Sequence, residues 1–232
     1  MEIQDNRKPT ATAPQGPPSR SMITYLTWAV GALILVVGGM IVLSVTSEPP
    51  APRTSAERDL AKYEELVKDK PRNAAAQAGM GAALMQTGSY KRAIEHLDKA
   101  VKLDPRSDYY VVLAETHVAL GDTELAIRDL KKAQKSDEGY DRAWYLEGKI
   151  YFDQGDYAKA IGPLNRTLEL EPGASDVHYL LGQALEKLGR RKAAIDSYRE
   201  ALKFLPDYQE TLDALERLGV KNIESQTTGD PH

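Results

Sequence analysis

Four glycines, Gly88, Gly121, Gly155 and Gly189, stand 33, 34 and 34 residues apart. An alanine follows each by five positions, as Ala93, Ala126, Ala160 and Ala194. Pro105, Pro172 and Pro206 close three of the four units, and Glu138 fills the remaining slot. A fixed period of this length means stacked supersecondary units, each too small to bury its own apolar face without a neighbour. Glycine suits the end of a first helix, where the left-handed conformation carries no Cβ penalty, and proline stops the second. The ladder therefore predicts helix pairs in series, an all-α solenoid suited to holding partners.

Other slots repeat in phase. The third unit carries Trp144, Gly148, Tyr151, Gly155, Tyr157, Ala160, Leu164 and Pro172. The fourth carries His178, Leu181, Gly182, Leu185, Gly189, Ala194, Tyr198, Ala201 and Pro206. The first gives Gln77, Met80, Gly81, Leu84, Gly88, Tyr90, Ala93 and Leu97, and the second Tyr110, Leu113, Ala114, His117, Gly121, Ala126 and Leu130. In this order the residues resemble the tetratricopeptide repeat over roughly residues 56–219. The resemblance implies a right-handed α-solenoid with units at 73–106, 107–140, 141–174 and 175–208. Residues 55–72, with Pro71 in phase, read as a half-repeat, and 209–219, with Leu212, Leu215 and Leu218 on one stripe, as a solvating capping helix.

Two residues depart from the pattern. Glu147 stands where the family has leucine, and a carboxylate facing a packed seam is costly unless paired or wet. It is expected to tilt to the edge of the stack. Pro163 falls inside a second helix, where it removes one backbone hydrogen bond and is expected to bend an outer face.

One segment is apolar all round. From Ser21 to Ser47 there is no charge between Arg20 and Glu48, with Tyr25 and Trp28 near the first edge. About 20 such residues cross the ~30 Å hydrocarbon core as a helix, and amphipathic rings favour the interface. The alternative is a cleaved signal peptide, but the run is long for one and Ser44-Val45-Thr46-Ser47 matches a small-residue cleavage site poorly. Residues 21–47 are therefore expected to be a retained signal-anchor, after a disordered tail at 1–20 and before a Pro-rich linker at 48–54; a second polar tail runs over 220–232. Basic residues tie on the two sides. Arg20 at one edge and Glu48 at the other favour an N-terminus inside a bacterial inner membrane with the repeats outside; the alternative is cytoplasmic repeats.

The chain has no cysteine and a net charge of −4, which excludes disulfides and thiolate chemistry and gives no sign of a nucleic-acid partner. Its four histidines, His96, His117, His178 and His232, show no metal-binding spacing, and His117 and His178 occupy slots for packing aromatics. No nucleophile elbow or phosphate loop is present. No catalytic residue, metal or cofactor is predicted.

The resemblance places ligand contacts on the inward faces of the first helices. Those slots hold Ala75, Ala78, Ala82 and Met85, then Asp108, Val111, Glu115 and Val118, then Arg142, Tyr145, Lys149 and Phe152, and last Asp176, Tyr179, Gln183 and Glu186. The expected groove comprises Met85, Val111, Glu115, Val118, Arg142, Tyr145, Lys149, Phe152, Tyr179, Gln183 and Glu186, with Tyr145, Phe152 and Tyr179 as an aromatic patch. Ala78 and Ala82 stand where the family's carboxylate clamp has polar residues, which disfavours a chaperone C-terminus. The expectation is a membrane-tethered module binding a protein or peptide client, in support of an envelope complex. The alternative is a scaffold that uses the same groove for homo-oligomerisation.

Overall fold

The computed structural model describes residues 54–220, and every described element is a helix. α1 (Ser55–Asp69) precedes four pairs: α2 (Ala74–Gln86) with α3 (Tyr90–Leu103), α4 (Ser107–Leu120) with α5 (Thr123–Ser136), α6 (Asp141–Asp153) with α7 (Tyr157–Leu170), and α8 (Ser175–Lys187) with α9 (Arg191–Phe204). α10 (Gln209–Arg217) follows. The 1–20 tail, the 21–47 span, nearly all of the linker and all but Val220 of the second tail lie outside the described residues. Among the described residues no helix is long and apolar enough to cross a membrane.

The ladder glycines end the first helices in the left-handed region, with φ of 76° at Gly88, 85° at Gly121, 79° at Gly155 and 73° at Gly189. The residue after each glycine donates back into the helix, as the Asp122 N–H does to the His117 carbonyl at 2.9 Å, so orphan carbonyls of the last turn are satisfied. Gly219, at φ 70°, ends α10 in the same way. The expected capping helix is thus the first helix of a fifth unit, 9 residues long where α8 has 13. That missing turn moves its glycine out of the 33–34 spacing.

Each pair closes on one small-to-large contact. Gly81, Ala114, Gly148 and Gly182 on the first helices face Leu97, Leu130, Leu164 and Tyr198 on the second, and all four large side chains are fully buried. A Cβ on Gly148 would stand 2.8 Å from Leu164, and one on Gly182 2.5 Å from Tyr198. The small residue is what lets the axes approach, and each buried large side chain contributes about 1.5–3 kcal/mol relative to exposure. Gly79 plays the same part toward Tyr63 of α1, which packs on α2 as a second helix does on the first helix of the next pair.

Each second helix also packs on the first helix of the next pair. First helices touch in series, α2 with α4, α4 with α6 and α6 with α8, whereas no comparable contact links successive second helices. The first helices therefore crowd the inner side and the second helices spread outward.

Most polar groups in the seams have partners, but His117 Nδ1 and Thr211 Oγ1 are buried without a hydrogen bond. Gln77, Trp144 and His178, in one repeat slot, each bond the carbonyl six positions earlier, at Pro71 (2.7 Å), Glu138 (3.1 Å) and Pro172 (2.9 Å). One slot thus uses three different N–H groups to hold the inter-unit turn. His117 is buried, its Nε2 3.6 Å from the Asp129 carboxylate. Pro163 is accommodated within α7. The expectation for Glu147 is corrected: it is 5% exposed and does not reach the edge, because Gln134 donates to it at 2.6 Å within the seam.

Candidate functional site

The inner slots form four rows along α2, α4, α6 and α8. The repeat period extends three of them into α10 as Glu210, Asp213 and Arg217. Depth varies along each row. Val111 is a correction: at 1% exposure it is core, packed with Ala126, Ala143 and Ile150, and offers a ligand no surface. Ala78 is buried as well, against Tyr109 and Ala100, whereas Val118 stays 42% exposed. Met85 is half-buried against the first core cluster.

Charged candidates engage one another. Arg142 Nη2 donates to Glu115 Oε1 at 2.5 Å, linking the first helices of the second and third units; that bond raises the Arg142 pKa. Arg217 reaches Glu186 at 2.9 Å between α10 and α8, another step of the same kind, and Tyr198 Oη donates to the same carboxylate at 2.8 Å. Burial alone would raise the Glu186 pKa, but these two donors overcome it and hold it below the usual value. Lys149 pairs with Asp153 at 2.8 Å on its own helix. The expectation that Glu115 or Lys149 stands ready for a ligand charge therefore meets residues already paired.

The aromatic candidates divide in the same way. Phe152 lies edge-on to Tyr157 with centroids 5.3 Å apart, so part of its surface is spent within its own unit. Tyr145 and Tyr179 are half-buried against the last core cluster. Gln183 donates to Tyr179 Oη at 3.0 Å. Tyr179 is tilted against Tyr208, centroids 5.2 Å apart. Tyr208 caps α10 and belongs to the same cluster; it escaped the slot scheme because it precedes its helix by one residue.

Between α4 and α6 the inner side opens into a cleft of about 170 Å³. Its lining is Ala114, Leu130, Leu146 and Ile150 with Val118 beside them, and Glu115, Lys149 and Asp153 supply the polar atoms. Three of these eight, Glu115, Val118 and Lys149, are expected groove residues. Ala114, Leu146 and Ile150 lie in seam-facing positions of α4 and α6, Leu130 is the large residue of α5 that faces Ala114, and Asp153 is exposed at the end of α6. The alternation of seam and groove residues along α4 and α6 could have identified the first three. The arrangement can take an apolar side chain flanked by polar contacts; among the described residues no cluster of His, Asp or Glu is placed to hold a metal.

Two tetratricopeptide repeat models match the chain, one at 60–116 and the other at 111–175 and 147–208, together running from 60 to 208. The chain belongs to the tetratricopeptide repeat family. Members of this family are protein-interaction modules, and the pairs described above are its repeats. Over 134 residues, 57% of this chain, it is 29% identical to a small glutamine-rich tetratricopeptide repeat-containing protein of Mycosarcoma maydis, of which the match covers 35%. Among solved structures it is similar to MamA, with 26% identity, a TM-score of 0.57 and coverage of 70% of this chain and 86% of that one. It is also similar to YrrB, described as a TPR protein with an unusual peptide-binding site, at 25% identity, a TM-score of 0.59 and coverage of 69% and 84%.

Proposed function

We propose that the inner row of first helices holds a segment of a protein client, with an apolar anchor of the client in the cleft between α4 and α6. The observation that carries this reading is the cleft itself, an open hollow with an apolar lining on the face where the first helices meet. The likeness to YrrB, described as having a peptide-binding site, supports it. The reading is of a binding module and not of an enzyme.

The charge-free stretch from Ser21 to Ser47 supports a second part of the proposal: it anchors the chain, and the repeats stand on the extracytoplasmic side of a bacterial inner membrane. The client is then a component of an envelope complex under assembly or maturation. Holding the face beside the bilayer raises the effective concentration of a client in the same membrane.

A photo-crosslinker in place of Val118, compared with one in place of exposed Arg128 on α5, tests the groove. The reading requires a discrete adduct from position 118 that disappears when Lys149→Trp covers the cleft. Equal adducts from both positions, or adducts indifferent to Lys149→Trp, remove the cleft from the binding face.

A further inference from the structure

We infer that the client segment is basic, and that a lysine or arginine of it lies at the far end of the inner rows, among Tyr145, Tyr179 and Tyr208 and the carboxylates of Asp176, Glu210 and Asp213. The inference rests on the groove reading above and adds the partner's chemistry to it.

Charge is unevenly shared between the two helix sets. The inner slots from α4 to α10 carry the carboxylates Asp108, Glu115, Asp176, Glu186, Glu210 and Asp213 against the cations Arg142, Lys149 and Arg217. Each of these cations already has a carboxylate, at Glu115, Asp153 and Glu186 respectively. Asp108 is held by Arg106 at 3.0 Å. Asp176, Glu210 and Asp213 have no cation within ion-pair distance among the described residues, and all three are exposed. The second helices lean the other way: α5 sets Arg128, Lys131, Lys132 and Lys135 against Glu124 and Asp129. A basic segment is thus drawn to the inner side and turned away from the outer one.

The three carboxylates without a cation gather at the tyrosines, Asp213 accepting a 2.7 Å hydrogen bond from Gln209 on its own helix. Burial is the first cause of the raised pKa values of Tyr145, Tyr179 and Tyr208; Asp176 adds to it at Tyr145 and Tyr208, and Glu210 at Tyr179 and Tyr208. The rings of Tyr179 and Tyr208 lie 5.2 Å apart and tilted at 49°. An ammonium or guanidinium is attracted by aromatic faces as well as by carboxylates, so this end of the groove offers a cation both kinds of contact. The cleft near Val118 lies toward the other end of the same face and supplies the apolar contact. A segment carrying both apolar and basic residues matches the pair of sites.

The probe is a fluorescein-labelled peptide of three Ser-Lys-Leu-Lys repeats, set beside matched peptides with glutamine or glutamate in place of lysine. Anisotropy is read on the full chain in a neutral maltoside detergent at low and raised salt. The lysine peptide is expected to bind tightest and to weaken with salt. Asp176→Asn/Glu210→Gln/Asp213→Asn is expected to weaken it by about ten-fold. Asp59→Asn/Glu64→Gln/Glu65→Gln, the same change of charge on α1, is expected to leave it within about two-fold, since distant exposed charges are screened. Equal losses in the two triple variants reduce the effect to net charge and overturn the inference. Equal binding of the glutamine peptide, lost with Lys149→Trp, overturns it while leaving the groove reading intact. Tighter binding of the glutamate peptide, or no binding of any peptide, also overturns it; the crosslink at position 118 then judges the groove separately.

Discussion

Gln134, on the second helix of one unit, donates a 2.6 Å hydrogen bond to the carboxylate of Glu147, on the first helix of the next, and both side chains are buried. A charged acceptor and an amide donor thus sit where two apolar side chains would pack. The physical consequence is asymmetric. Removing one partner strands the other away from water, at a cost of about 1–3 kcal/mol for the amide and more for the carboxylate. Glu147→Ala and Gln134→Ala are each expected to lower the urea midpoint accordingly. Gln134→Leu/Glu147→Leu removes both polar groups and is expected to return to within about 1 kcal/mol of the parent, since replacing both partners by apolar groups is nearly neutral. A double variant no more stable than the singles removes this account of the seam.

The two kinds of glycine in the first helices respond to different substitutions. At Gly155 a Cβ meets nothing within 4 Å, but φ is 79°, so the strain is wholly in the backbone. Gly155→Val is expected to cost about 1–3 kcal/mol and Gly155→Asn distinctly less, because asparagine tolerates the left-handed region. At Gly148 the backbone is helical and the obstacle is Leu164 at 2.8 Å. Gly148→Ala is therefore expected to destabilise until Leu164→Ala makes room, a coupling seen as non-additive unfolding free energies. Additive values at positions 148 and 164 contradict the contact.

Why the architecture is readable and the binding face less so follows from these residues. A left-handed turn or a Gly-to-Leu contact depends on one or two positions and recurs every 33–34 residues, so chemistry repeats with the period. Glu147 and Gln134 belong to different units, and no other unit repeats the pair, so nothing in the period announces it. The same holds for Arg142, whose partner Glu115 lies 27 positions away. Depth is equally local. Val111 and Tyr145 share a slot, yet valine is short enough to sink among Ala126, Ala143 and Ile150 while tyrosine extends outward. Tyr208 shows the remaining limit: slot counting starts inside the helix, and this ring precedes it.

His96 makes stability depend on pH. Its Nδ1 lies 2.7 Å from Gln77 Oε1, and the Gln77 amide nitrogen is committed to the Pro71 carbonyl, so Nδ1 carries the proton in this contact. Burial first, then Lys99 and Arg92, lower the His96 pKa from its ordinary 6.5. A lowered folded-state value means that the unfolded chain takes a second ring proton more readily. The contribution to stability is present above the unfolded value and is lost as pH falls through the lowered folded one. Between about pH 7.5 and 5.5 the parent is expected to lose urea stability, and His96→Gln, which cannot titrate, is expected to lose less. An equal slope in both proteins contradicts the role of His96.

The anchor rests on one charge-free stretch bounded by Arg20 and Glu48, so its test must separate three outcomes. A retained span resists carbonate extraction, whereas a peripheral chain is released. A cleaved signal yields a mature N-terminus near Ser47, whereas the anchor leaves the mature chain retaining residues 21–47. Protease added to intact spheroplasts is expected to digest the repeats and leave a membrane-bound N-terminal fragment. Protection until the membrane is opened places the repeats in the cytoplasm. The charge pattern argues against that, because a basic residue at the first edge and an acidic one at the second favour the N-terminal side remaining inside. Arg20→Glu with Glu48→Arg inverts those flanks, and a mixture of protected and digested repeats is the expected result. If orientation is unaffected by the exchange, the flanking charges do not set it.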